Sequence, residues 1–155
     1  MLDGKSVLEA AKYPIIAMVC LIILVPLGAP YLSRIPAIGQ FVVERLSALE
    51  DFIIYPLLLA YAGYRSARYL KGDVAHASVS GAFVALVGSV VIILSSITGS
   101  IYSMMRLNSA AGVPFDLGGQ APFVMQNLAI YFLDPTHAAA FVLGGFILGA
   151  AGFYV

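Results

Sequence analysis

Tryptophan is missing from the 155 residues, cysteine occurs once, histidine twice, and charged residues make up only 10% of the chain. Each shortage excludes something. The single thiol, Cys20, lies inside an apolar run, so neither an internal disulfide nor a multi-thiolate metal site can form. Eight basic residues balance eight acidic ones and the cations are scattered, so the electrostatic footprint of a nucleic-acid binder is missing and no nucleic acid is expected as a partner. No GxSxG, HExxH, CxxC or phosphate-loop pattern occurs, and Ser, His and Asp do not cluster in the manner of a triad. The chain reads as no enzyme, with no cofactor. His76 and His137 each sit near the start of an apolar run, on opposite sides of the expected membrane, which separates them too far to share a haem or a metal.

What the chain has in abundance is hydrocarbon: 61% hydrophobic residues and a mean hydropathy of +0.98, far from the soluble average of about 25% charged. The expected fold class is all-α, an integral membrane bundle of four transmembrane helices in one domain, with two short amphipathic helices in the outer loops. The spans are expected near residues 13–32, 48–69, 75–99 and 135–155.

Tyr13 and Tyr31 bracket the first span at about the separation of interfacial tyrosines. Ser6 is the expected cap of the lead before it, Pro14 suits a first helical turn, and Pro26 should kink the span or end its regular part. A charged lead followed by an apolar core is also the pattern of a cleavable signal peptide, but the run is long and no A-x-A site follows. Residues 35–49 place Ile38, Val42, Leu46 and Leu49 on one helical face and Gln40, Glu44 and Ser47 on the other, an amphipathic helix that lies on the interface or runs straight into the second span with a bend at Pro56.

The stretch 49–71 orients the whole chain. An acidic pair, Glu50 and Asp51, precedes a charge-free run, which leads into Arg65, Arg68 and Lys71 and a turn marked by Gly72 and Asp73. Lys5, Lys12, Arg65, Arg68 and Lys71 then lie on one side and Arg34, Arg45 and Arg106 on the other, a bias that places both termini in the cytoplasm of a cell membrane.

Ala77, Gly81, Ala85 and Ser89 recur every fourth residue in the third span, and Ala140, Gly144, Gly145 and Gly149 form small surfaces on the fourth, where 145–149 is a literal GxxxG. Between these spans, residues 100–133 read as a turn-rich connection whose later part, 122–133, is apolar but too short to cross. Asp134 and Pro135 have the types of an N-cap and a first helical residue.

No Lys, Arg, Asp or Glu falls in the middle of any span, where proton relays and charge clamps need them. The leading expectation is therefore a non-enzymatic structural or accessory subunit, partnered by the lipid bilayer and by other membrane subunits or further copies of itself. The alternative is a small channel or facilitated-diffusion protein for a neutral or cationic solute. Its outer mouth would be formed by Glu50, Asp51 and the hydroxyls between Ser95 and Ser103, although adjacent acids on a helix point about 100° apart, so one alone would face inward.

Overall fold

The computed structural model describes residues 3–32, 34–35, 39, 45, 48–114, 116, 118–119, 122, 126 and 135–155, and the described residues are helical with no strand. Four α-helices are present: α1 (Gly4–Leu32), α2 (Tyr55–Leu70), α3 (Val74–Ala110) and α4 (Pro135–Phe153). A π-helical turn (Glu50–Ile54) runs directly into α2. Among the described residues α2 and α3 touch each other and both neighbours, whereas α1 and α4 do not touch. The two middle helices therefore separate the two outer ones. Two segments, Gly4–Val25 within α1 and the whole of α3, are long and apolar enough to cross a membrane, and Ala138–Phe153 is a shorter apolar helix.

Local chemistry accounts for most of the boundaries. The Asp3 carboxylate accepts from the Lys5 N–H at 3.2 Å and the Ser6 hydroxyl at 2.9 Å, so α1 opens on Asp3, and Ser6 supports that cap instead of forming its own. Pro14 is fully buried in the interior of α1, not in its first turn, and its missing N–H leaves the Ala10 carbonyl without the usual partner. The helix continues past Pro26 to Leu32. At the end of α2 the Ser66 carbonyl accepts from both Lys71 and Gly72 N–H groups, with Lys71 in the left-handed region at φ 53°. Asp73 then caps α3, its carboxylate accepting from the His76 N–H at 2.9 Å.

α3 is longer than its expected span: its 37 residues extend roughly 55 Å, against a hydrocarbon core of roughly 30 Å. Residues 100–110, read from sequence as the start of a connection, continue the helix because their Leu, Met and Arg content favours it and no glycine or proline intervenes before Gly112. The amphipathic stretch expected at 35–49 and the apolar stretch at 122–133 fall mostly outside the described residues, as do Glu44, Asp134 and the side chain of His137.

Small residues dominate the interior. Ala10, Ala11, Ala62, Ala77, Ala85, Ser66 and Ser80 are fully buried, while Leu24, Leu57, Leu86, Leu143 and Ile147 are exposed. A soluble core has the opposite arrangement. The small residues let backbones meet: a Cβ on Gly63 would lie 2.9 Å from the Gly149 Cα, and one on Gly81 would lie 2.8 Å from the same atom. Gly145 faces the Ala85 Cβ and the Gly81 carbonyl, each 2.7 Å from where its own Cβ would be.

Candidate functional site

The two ends of the molecule differ in chemistry. α1 and α3 run parallel, with Asp3 against His76 and Met18 against Gly88, so residues about 70 apart in sequence lie at one level. At the end where α1 begins, the Asp3 N–H donates to His76 Nε2 at 3.2 Å, and His76 Nδ1 lies 2.7 Å from the Asp73 carboxylate. The first contact makes Nε2 an acceptor, so Nδ1 carries the proton that bonds Asp73. Arg65 Nη2 donates to the Glu9 carbonyl at 3.3 Å while its guanidinium lies 4.3 Å from the centre of the Tyr13 ring, fastening α2 to α1. The Ser6 hydroxyl, and next the Lys5 N–H, hold the Asp3 carboxyl below its ordinary range; the His76 backbone N–H, and next its ring, do the same for Asp73. These contacts join helix ends.

The opposite end is hollow. A cleft of about 1320 Å³ opens between α1, the π-turn and α3, and among the described residues none of α4 lines it. Its deeper walls are Ile22, Ile23, Leu27, Val91 and Ile92, and its rim carries Arg34, Glu50, Asp51, Arg106 and several hydroxyls. Below it the space is filled, since Met18, Leu59 and Val84 are fully buried and the Met18 sulfur packs on Gly88.

The π-turn aims the acids. Tyr55 N–H reaches back to the Glu50 carbonyl, one residue farther than an α-helix would allow, and the extra residue lies just before Pro56, which has no N–H of its own to give. The irregularity at this junction is the π-turn immediately before Pro56; the helix expected to bend into it lies mostly outside the described residues. Glu50 is 6% exposed and accepts a long bond, 3.5 Å, from the Tyr55 hydroxyl, whereas Asp51 is exposed at the rim.

Of the residues singled out in the sequence, the structure gathers Glu50 and Asp51 with Ser95, Ser96, Thr98 and Ser103 in this cleft. Ala77, Gly81, Ala85, Gly145 and Gly149 meet in the α3–α4 contact. Ser89 is half-buried and bonds its hydroxyl to the Ala85 carbonyl at 2.9 Å. Ala140 is exposed, and Gly144 has nothing within 4 Å of where a Cβ would be, so these two are not part of that contact. Sequence reasoning missed Tyr55, while Arg34 and Arg106, which it grouped on the same side as the acids, line the cleft with them. The acidic pair ahead of Pro56 and the hydroxyls between Ser95 and Ser103 signalled the site; Tyr55 gave no signal, because its approach to Glu50 depends on the π-turn.

Comparison with known protein families, with curated proteins and with solved structures finds no match to this chain. Fold and site together define, among the described residues, a helical protein with two helices apolar enough to span a membrane and an amphipathic cleft.

Proposed function

We propose that the chain is a multi-pass integral membrane protein of four spans, both termini cytoplasmic, that acts as a non-enzymatic accessory subunit in a homo-oligomer or larger membrane complex. The observation that carries this reading is the division of α4 into two faces of small residues. Gly145 and Gly149 are used within the chain, while Ala140 and Gly144 face outward between the exposed side chains of Leu143 and Ile147. A small groove between large apolar ridges is what a neighbouring transmembrane helix packs against.

Gly144→Leu tests the assignment because the added side chain enters open space in a single copy. In native membranes and in mild detergent the wild-type chain should run at a mass above its own 16.4 kDa, and Gly144→Leu should reduce that mass without loss of helicity. A wild type that is monomeric in both settings would sink the subunit reading.

Facilitated diffusion of a neutral or cationic solute is the second reading, favoured by the meeting of Glu50 and Asp51 with the α3 hydroxyls. With Met18, Leu59 and Val84 closing the other half of one copy, passage would have to run along an oligomer axis. Liposomes containing the wild type but showing no cation flux would remove it.

A further inference from the structure

The cleft sorts its chemistry along its depth. Ile22 and Ile23 on α1 and Val91 and Ile92 on α3 form the deep, hydrocarbon part, while Tyr31, Tyr102 and the charged residues lie toward the helix ends. Leu27 and Leu94 line it yet are 63% and 57% exposed, so the apolar part is open sideways, toward the zone that α1 and α3 share with lipid. The rim carries two cations, Arg34 and Arg106, and two acids, Glu50 and Asp51.

Size discriminates among guests. At about 1320 Å³ the cleft exceeds the roughly 300–1,000 Å³ of ordinary small-molecule sites. A partner helix, about 10–12 Å across, would fit over only about 12–17 Å of its length, roughly half of a span, and would bring a continuous apolar surface to a charged rim. A small cation would satisfy the acids but leave the arginines and the hydrocarbon walls unmatched.

We infer that the cleft holds one zwitterionic phospholipid, its acyl chains along the Ile22, Ile23, Val91 and Ile92 walls, its ammonium group at Glu50 and Asp51 and its phosphate at Arg34 and Arg106. Tyr31 and Tyr102 border the headgroup level, where aromatic rings favour quaternary ammonium. This rests on the membrane placement proposed above, but not on the subunit role. A chain released by alkaline extraction of membranes fails the placement; an extraction-resistant chain that binds no lipid fails only this inference.

Gly99 supplies the test, since it lines the cleft and nothing lies within 4 Å of where its Cβ would be. Full-length protein is passed through nanodiscs of dioleoylphosphatidylcholine or dioleoylphosphatidylglycerol, returned to detergent and weighed by native mass spectrometry. The wild type should keep one phosphatidylcholine per chain, and Gly99→Phe should lower retention at least tenfold with helicity and melting unchanged. Glu50→Gln with Asp51→Asn should shift preference at least fivefold toward the anionic phosphatidylglycerol, and Arg34→Gln with Arg106→Gln should shift it toward a cationic lipid. Equal retention of both lipids by the wild type, retention unaffected by Gly99→Phe, no retained lipid, or a second protein chain in its place would each overturn the inference.

Discussion

Lys71 is the one described non-glycine residue at positive φ, and an L side chain there strains against its own carbonyl by roughly 1–2 kcal/mol. Lys71→Gly removes that strain at some cost in chain entropy and should stabilise the protein by about 1 kcal/mol, measured by denaturant titration in detergent. The neighbouring Gly72 and Asp73 announce a turn from composition, but which residue takes the left-handed conformation depends on the two N–H groups that converge on Ser66, a relation that composition does not encode. Asp73 carries a pH signature. Its folded carboxyl titrates below the ordinary range because the His76 N–H and then the His76 ring bond its charged form. The cap is therefore fully effective above the unfolded carboxylate pKa and is lost as pH falls through the lower, folded value. Asp73→Asn, which keeps a capping oxygen, should flatten the acid side of the stability profile, while Asp73→Ala should also lower stability at neutral pH.

Within α4, two glycines five positions apart should respond in opposite ways. Gly149→Ala inserts a methyl against the backbone of α3 and should cost about 1–3 kcal/mol by overpacking; Gly144→Ala enters open space and should gain about 0.5–1 kcal/mol from helix propensity. Thermal melts of the two single variants, run side by side in the same detergent, check the contrast. The spacing of Ala77, Gly81 and Ala85 made the contact surface of α3 legible, because every fourth residue of a helix returns to one face. The two faces of α4 were not separable in the same way, since Gly144 and Gly145 differ by only about 100° and which of them turns inward is decided by the helix it meets. Pro14 shows a limit of another kind: its residue type suits a first turn, yet the polar lead before it is helical, held by the Asp3 cap and by the packing of Val7, Ala10 and Ala11.

Across the molecule, the exposure of large apolar side chains over a core of alanine, glycine and serine gives the fold an outside suited to hydrocarbon. Cys20, exposed midway along the first apolar segment, reports on that directly. In sealed vesicles it should react with a lipid-soluble maleimide and resist a membrane-impermeant one until detergent is added; rapid labelling by the impermeant reagent would place α1 in water. The all-helical class and the apolar segments in α1 and α3 were readable from hydropathy, because periodicity and length are properties of single segments. The cleft was not, because it exists only where α1, the π-turn and α3 converge, and no spacing along the chain records that meeting.

The order in which helices touch sets how the fold comes apart. α4 meets α2 and α3 backbone on backbone, while α1 packs on α2 and α3 alone, with the Met18 thioether on Gly88 and the Arg65 guanidinium on Tyr13 among its contacts. Amides around Leu21 to Leu27 should therefore trade their hydrogens for deuterium well before those between Ala77 and Gly88. If α1 loosens first, as that exchange order predicts, the cleft loses one of its walls before the rest of the fold gives way.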